Sequence, residues 1–526
     1  MKILVSDSIA EEGLSILKEE KAVEVVVNTK LKPEELKEVI KDFDALIVRS
    51  STKVTKEIIE ASSRLKVIGR AGTGLDNVDA DAATKKGIIV MNTPGGNTIS
   101  TCEHTFSLIL ALSRKIPQAD ASLKKGEWER KKFMGIELFG KVLGVVGLGR
   151  IGTEVAKRAV AFGMKPIAFD PYLNEEMAKE LEVELVDLKE LLKRSDYITV
   201  HTPLTNETKY IIDEEEFALM KDGMWIINCA RGGLINEKAL YNALTSGKVA
   251  GCALDVFEEE PPKDSPLLKA ENVVVTPHLG ASTEEAQVSV AVDIAKQVLD
   301  ALLGRGIRNA VNVPCIEPEL LKHIEPFINL AEKIGLFIAQ LSEGRVREVK
   351  VAYSGDITAH DTKQVTIALV KGLLSAVLVD NINYVNATCL AKERGITITE
   401  SKSTDTGDFV NLIAVEVITD KGKCSIYGTL FTKKDPRIVR VNEFYVDLIP
   451  KGNLLVISNI DKPGIVGYIG TLMGTHSINI AGLTFGRVSP GGKAITVLNV
   501  DNDVSKEVLE EVKKGKNITD AKLIKL

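Results

Sequence analysis

The sequence predicts an α/β protein: two doubly wound parallel-sheet domains, then an α+β domain and a small βαββαβ sandwich. Three observations carry this reading. Through the first half of the chain, short β-rich runs alternate with amphipathic stretches, the pattern of strand, helix and parallel strand. Two long apolar-periodic segments, ISTCEHTFSLILALSRKI and STEEAQVSVAVDIAKQVLDALLGR, bracket the second alternating block and are more helix than a connecting loop uses. The final segment reads strand, helix, two strands and helix, which closes most economically as a βαββαβ unit. At 526 residues the chain exceeds what one hydrophobic core supports.

The first block supplies KILVSD, VEVVV, ALIVRS, LKVIGRAG and IIVMNTPG as strands, separated by EEGLSILKEE, PEELKEVIKD and TKEIIEASSR as helices. The second supplies KVLGVVG, KPIAFD, YITVHTP, GMWIINCA, GCALDVF and VVVTPH. A long helix at each edge of the second block implies that the chain leaves the first domain and later returns to it. The expected boundaries are 1–98 plus 284–308 for a discontinuous first domain and 99–283 for the second. The Pro-bearing VNVPCIEPE marks the next boundary. Residues 309–451 read as α+β, with one long helix in HIEPFINLAEKIGLFIAQLSEG, and 452–526 form the terminal unit.

Composition excludes several classes. A net charge of -6 without a basic stripe leaves no electrostatic footprint for nucleic acid. No apolar run is long enough to span a bilayer, and MKILVSDSIAEEGL reads as strand and helix rather than as a secretory signal; the expected location is cytoplasmic. Cys102, Cys229, Cys252, Cys315, Cys389 and Cys424 are scattered without CxxC spacing, so buried free thiols are expected, and neither a disulfide framework nor a metal site. Small-molecule ligands remain.

The clearest ligand signal is Gly147-Leu148-Gly149-Arg150-Ile151-Gly152. It follows an apolar strand and opens the helix TEVAKRAVAFG, so that backbone N–H groups and the positive helix end would face a pyrophosphate. The next strand, KPIAFD, ends in Asp170. A carboxylate there accepts from ribose hydroxyls and repels a 2′-phosphate, and PYLN after it brings no arginine; NAD is favoured over NADP.

Oxidising an alcohol with NAD requires a base for the hydroxyl proton and a cation for the substrate's carboxylate. The chain has six histidines. His104 reads as packed in an apolar helix, and His323, His360 and His476 lie in the later domains. His201 and His278 both follow apolar strands of the nucleotide domain, at the strand ends where open α/β sheets place their sites. Arg231, in NCARGGL, and Glu258, Glu259 and Glu260, after GCALDVF, stand at two further strand ends. The residue before a proline is held out of helical backbone angles, which singles out Glu260, before Pro261, as the carboxylate best suited to orient an imidazole. Glu258 and Glu259 are expected to be solvated. VRSSTK places Arg49 and Lys53 around small hydroxyl residues after a strand, which reads either as an anion cradle or as an ordinary strand-end loop with a solvated lysine.

Together GLGRIG, FDP, NCARGG, ALDVFEEEPP and TPHLGAST, with GRAGTGLDNVD and NTPGGN, make the chain resemble the D-isomer-specific 2-hydroxyacid dehydrogenases, in their long form. The resemblance implies a flavodoxin-like substrate domain, a Rossmann NAD domain, an intervening allosteric-substrate-binding domain and a ferredoxin-like ACT domain. It implies Arg231, Glu260 and His278 as catalytic residues. It implies cofactor contacts from Thr73, Arg150, Ile151, Asp170, Thr202, Cys229, Ala230, Arg231, Asp255, His278, Leu279, Gly280 and Ala281, beside the glycines of the motif. Substrate contacts fall by resemblance on Arg49, Ser50, Gly72, Gly74 and Asn97. The substrate so implied is 3-phosphoglycerate, oxidised to 3-phosphohydroxypyruvate on the route to serine, by a homotetramer. An unphosphorylated 2-hydroxy acid or glyoxylate as substrate, and a non-catalytic NAD-sensing regulator on the same fold, are the alternatives.

NIDKPGIVGYIG followed by INIAGL resembles the ACT signature. By position Asn459, Asp461 and Asn479 would hold an amino-acid effector at a dimer interface, with Asp461 taking an ammonium and Asn479 a carboxylate, as free serine offers. Some relatives carry histidine at the position of Asn459 and asparagine at that of Asp461, and an ACT fold kept for assembly alone is the other reading. In the 309–451 domain Lys433, Lys434, Arg437 and Arg440 form either an anion site or a solvated charged face.

Overall fold

The computed structural model describes residues 1–314, 318–378, 381–405, 408–432 and 434–526, with backbone only at 318 and 319. Cys315 and Lys433 fall outside the described residues.

The first sheet comprises β1 (Lys2–Val5), β2 (Glu24–Val27), β3 (Ala45–Val48), β4 (Val67–Arg70) and β5 (Ile89–Met91), all parallel in the order β2-β1-β3-β4-β5. The central strand ALIV is buried at every position, as a strand covered on both faces must be. One face is covered by helices Glu11–Glu19 and Glu284–Leu302, the latter bringing Val290, Ile294 and Val298 onto Ile3, Val5 and Ile47. Contact is close: a Cβ on Gly13 would lie 2.6 Å from the carbonyl oxygen of Ala291, and one on Gly69 would lie 2.6 Å from Val298.

The second sheet comprises β6 (Val142–Val146), β7 (Lys165–Phe169), β8 (Glu184–Leu185), β9 (Tyr197–Val200), β10 (Met224–Asn228), β11 (Val249–Leu254) and β12 (Val273–Val275). It is parallel throughout, in the order β12-β11-β10-β9-β6-β7-β8. The order reverses at β6, which places a crevice at the carboxyl ends of β6 and β9. Helix Thr98–Ser113 packs on this sheet, with Cys102, Phe106 and Ile109 against Leu143, Val145 and Ala253.

A mixed sheet follows, with β13 (Val346–Gly355), β14 (Thr397–Ser403), β15 (Asn411–Thr419), β16 (Lys423–Leu430), β17 (Pro436–Val441) and β18 (Phe444–Leu448). Its order is β14-β13-β15-β16-β17-β18. Helix Pro318–Leu341 crosses helix Lys363–Ser375 so closely that a Cβ on Gly372 would lie 2.0 Å from the carbonyl oxygen of Glu332. Sequence reading anticipates the first of these helices and misses the second. The reason is physical: KQVTIALVKGLLS is buried nearly all round, so it shows no polar face and no helical period.

The terminal unit comprises β19 (Asn453–Ile460), β20 (Ile480–Arg487), β21 (Lys493–Val500) and β22 (Ile518–Lys525), antiparallel in the order β20-β21-β19-β22 with two helices on one face. Leu454, Val456, Ile495 and Ile524 on its other face join one core with Leu330, Ile334 and Phe337 of the preceding domain. Among the described residues no helix is long and apolar enough to cross a membrane.

Candidate active site

The glycine motif folds for a dinucleotide. Gly147 has φ +94, a left-handed angle that turns the chain from β6 toward helix Arg150–Ala161 and favours a residue without Cβ. Around Gly149 a Cβ would meet nothing within 4 Å, whereas on Gly152 it would lie 2.1 Å from the carbonyl oxygen of Gly147. The middle glycine thus leaves room for a pyrophosphate and the last lets helix and strand pack together. Asp170 closes β7, its carboxylate accepting from the backbone N–H of Leu148 at 2.8 Å and of Tyr172 at 2.9 Å. Thr202 Oγ1 and His201 Nδ1 are buried without a hydrogen-bond partner among the described residues. They line a cleft of about 390 Å³ with Thr73, Ile151, Ala230, Asp255 and Gly280. The chemistry of this cleft fits NAD.

Of the two candidate histidines, one is set aside. His201 has Thr199 Oγ1 at 3.0 Å as its neighbour, and burial pushes its pKa down to about 4, so it stays neutral. His278 is different. Its Nδ1 lies 2.8 Å from Glu260 Oε2, and that bond is the chief cause of a pKa raised above 6.5, opposed by partial burial. Burial works against ionisation of Glu260, but the imidazole's hydrogen bond and charge prevail and hold its carboxyl below 4.5. Glu260 Oε1 also accepts from the backbone N–H of Phe257 at 3.2 Å, and the Glu260–Pro261 peptide is cis. Glu258 and Glu259 are exposed, as expected. Glu258 in addition accepts from Tyr210 Oη at 2.9 Å and from the Glu237 N–H at 3.0 Å, which ties its loop to the Tyr210 turn and to the start of helix Glu237–Thr245.

The loop bearing His278 is held from beneath by Asp255, which is fully buried. Its carboxylate accepts from Leu279 N (2.7 Å), Gly280 N (2.8 Å), Thr276 Oγ1 (2.6 Å) and His104 Nε2 (3.1 Å). His104 is therefore not just a packed histidine: it supports the active loop from helix Thr98–Ser113. Its signal in the sequence was weak, because the apolar neighbours give no hint of a partner 151 residues away.

Arg231 follows β10 in a turn fixed by Asn228, whose side chain donates to the Arg231 carbonyl at 2.9 Å and accepts from Ala230 N at 3.0 Å. A Cβ on Gly232 would lie 1.8 Å from the carbonyl oxygen of Phe257, which brings this turn against the segment leading to Glu260. The Arg231 side chain reaches across to the first domain, with Nε 3.0 Å from Asp76 Oδ2.

On that first-domain side, Arg49 and Ser50 line a cavity of about 630 Å³ together with Gly72, Asn97, Glu260 and His278. Asp7 accepts from the backbone N–H of Arg49 at 2.6 Å and from that of Thr52 at 3.1 Å, which shapes the VRSSTK loop. Lys53 is exposed and takes no part in the lining. The second cation is Arg70, which sequence reading missed. Its Nε is buried with no partner among the described residues, and burial, with Arg231 and Arg49 nearby, brings its pKa down to about 10. Thr73 donates to Asn97 Oδ1 at 2.7 Å, and Arg150 reaches from the nucleotide helix to the carbonyl of Pro94. Both cavities share Asn97, His278 and Ala281.

Comparison with known proteins agrees with this geometry. Residues 106–280 match the model of the D-isomer specific 2-hydroxyacid dehydrogenase NAD binding domain, and residues 323–442 that of the D-3-phosphoglycerate dehydrogenase intervening domain. A D-3-phosphoglycerate dehydrogenase of Methanocaldococcus jannaschii is 50% identical across 100% of both chains. The chain belongs to the D-3-phosphoglycerate dehydrogenase branch of the D-isomer-specific 2-hydroxyacid dehydrogenases. The dehydrogenase of the same name from Bacillus subtilis is 44% identical over 100% of this chain and 99% of its own. Among solved dehydrogenase structures, the D-lactate dehydrogenase from Aquifex aeolicus complexed with NAD and lactic acid aligns with a TM-score of 0.53 and 32% identity. It covers 60% of this chain and 100% of that one. A glyoxylate reductase from Paecilomyes thermophila gives 0.55 and 32%, over 59% and 98%.

The residues that the resemblance assigns to an effector in the terminal unit do not meet within one chain. Asn459 is buried and accepts from Thr496 Oγ1 at 3.0 Å, and Asp461 pairs with Arg487 at 2.8 Å. Asn459 sits beside Ala494, whereas Asn479 precedes Ile480, which pairs with Val500 at the other end of β21; Asn479 donates to Asp501 at 2.6 Å. In the preceding domain Arg440 lies over the rings of Tyr427 (5.0 Å) and Tyr445 (5.4 Å), and Arg437 pairs with Asp435 and Asp447, so neither arginine is a bare cation.

Proposed function

We propose that this chain oxidises 3-phosphoglycerate to 3-phosphohydroxypyruvate with NAD, the opening step of the phosphorylated route to serine. The observation that carries the reading is the 630 Å³ cavity, lined by Arg49 and Arg70 from the first sheet's side and by the His278–Glu260 pair from the second. A phosphate at the arginines and a hydroxyl at the imidazole suit the two ends of one short substrate.

His278, oriented by Glu260, takes the proton of the substrate's 2-hydroxyl. The carboxylate it gains charge against is already ionised, so the imidazolium is stabilised as it forms. Arg231 holds the substrate carboxylate and polarises the forming carbonyl. Bound NAD supplies the hydride acceptor. Gly147, Gly149, Arg150, Ile151 and Gly152 would hold its pyrophosphate and Asp170 its ribose, while Thr73, Thr202, Cys229, Ala230 and His278 to Ala281 would line the nicotinamide end, with Asp255 holding that loop from beneath. Arg49, Ser50, Gly72, Gly74 and Asn97 receive the substrate. Domain boundaries of 1–98 with 284–308, 99–283, 309–451 and 452–526 belong to the same reading.

An unphosphorylated 2-hydroxy acid would leave Arg49 and Arg70 without a task, and a regulator without turnover would have no use for the His278–Glu260 pair. We also propose a homotetramer, supported by the exposed Trp128, Met134 and Phe139 of the nucleotide domain, which are 77%, 75% and 77% accessible and suit burial against a second copy. Serine as effector is part of the proposal: Asn459 with Asp461 and Asn479 at opposite sheet ends require two copies to flank one ligand. A cytoplasmic location is supported by the free thiols of Cys102, Cys229, Cys252, Cys389 and Cys424. NADH formation from 3-phosphoglycerate, with and without serine, tests the catalytic and effector readings. No turnover overturns the catalytic reading, and turnover indifferent to serine removes the effector.

A further inference from the structure

The Arg231 guanidinium is pinned by groups from both domains. Its Nη1 donates to the Ala230 carbonyl at 2.7 Å on its own side, and its Nε donates across the cleft to Asp76 Oδ2 at 3.0 Å. Its Nη2 lies against Gly74, where a Cβ would come within 2.0 Å of it. Asp76 itself is not a packed residue: its side chain is 67% accessible, against 29% for Arg231. Such an exposed carboxylate contributes little to stability through an ion pair, so its worth lies in where it puts the arginine.

We propose that Asp76 is a positioning residue for the oxidation, aligning Arg231 across the cleft so that the cation meets the substrate carboxylate only when the two domains stand at this separation. The proposal rests on the catalytic reading above. A flexible arginine at the end of a turn samples many rotamers. Asp76 selects one, and because it belongs to the first domain while Arg231 belongs to the second, the selection depends on interdomain spacing. Charge reinforces the geometry. Arg231 disfavours the charge of the neighbouring, partly buried Arg70, and Asp76 acts in the opposite sense on that same arginine. Gly74 gives the same guanidinium a flat surface, which any larger side chain would occupy.

The test is a double-mutant cycle in the full-length protein, using Asp76→Asn, Arg231→Lys and their combination, with 3-phosphoglycerate and NAD. Asp76→Asn is expected to lower kcat at least tenfold, in line with the roughly hundredfold that a misplacement of about 1 Å can cost. KM for NAD should stay within twofold, and the thermal midpoint should stay near wild type. In the Arg231→Lys background, which lacks the planar fork, the same change should cost less than twofold. Equal losses in both backgrounds, or a loss that tracks the thermal midpoint, would overturn the proposal. So would undiminished kcat in the single variant. Absence of turnover in the wild type would instead count against the catalytic reading, a result distinguishable from any of these.

Discussion

His278 and Glu260 face one another at 2.8 Å, imidazole Nδ1 to carboxylate Oε2, and each stabilises the other's charged form. For a base this has a defined sign. Turnover requires neutral His278, so the acidic limb of the pH–rate profile lies above the imidazole's ordinary 6.5. Glu260→Gln should move that limb down toward 6.5 and lower kcat; Glu258→Gln should leave the limb in place. Identical shifts from both would show that the wrong glutamate has been chosen.

The same pair makes a prediction for stability. His278, raised in the fold, contributes fully below its ordinary 6.5 and loses that contribution as pH rises through its folded value; Glu260, lowered, contributes fully above 4.5 and loses it on acidification. Wild type minus Glu260→Gln should therefore be largest between these two values. Thermal melts across pH check it, and a difference that grows steadily toward alkaline pH contradicts it.

Substituting the base itself separates the two histidines. His278→Ala should cost roughly 10²–10⁴-fold in kcat. His201→Asn should keep the pH limb, because burial leaves His201 neutral throughout the working range. A profile that moved with His201 would reassign the base.

How much of this was legible in the sequence depended on how local each signal is. Gly147, Gly149 and Gly152, Arg231 and His278 announce themselves because glycines and charges directly after apolar strands have few other uses there. Glu260 could be separated from its neighbours by the following proline alone. Arg70, Asp76 and His104 could not be found this way. Arg70 looks like any strand-end arginine until the fold buries its Nε beside two other arginines. Asp76 and His104 acquire meaning only from partners 155 and 151 residues distant. Helix Lys363–Ser375 is hard to read for the converse reason, since burial on nearly every side erases the polar stripe that marks a helix.

Arg70 supplies the sharpest test of substrate class. Replacing it with glutamine should raise KM for 3-phosphoglycerate and reduce kcat/KM by about tenfold to a hundredfold, the worth of roughly one charged hydrogen bond. Weak activity on an unphosphorylated 2-hydroxy acid should hardly change. Equal losses on both substrates would place Arg70 outside the phosphate's reach.

Gly152→Ala tests the cofactor site without touching a charge. The new methyl would lie 2.1 Å from the Gly147 carbonyl oxygen, so helix and strand must separate, at about 1–3 kcal/mol. NAD affinity should fall at least tenfold by calorimetry. Unaltered affinity would mean that the turn does not carry the pyrophosphate.

Helix Glu284–Leu302 covers the sheet whose strands begin at Lys2, and this has a consequence during synthesis. The N-terminal strands emerge from the ribosome long before the helix that completes their core. Until that helix arrives, Gly13 and Gly69 have no partner surface, and the apolar face of β1, β3 and β4 stands open. Completion of the first domain must therefore wait for the second domain to be translated in full, against the usual order in which domains close one after another from the N-terminus. A chain halted shortly before Glu284 should bind a molecular chaperone and resist protease in its second domain alone, and one extended past Leu302 should become resistant in both.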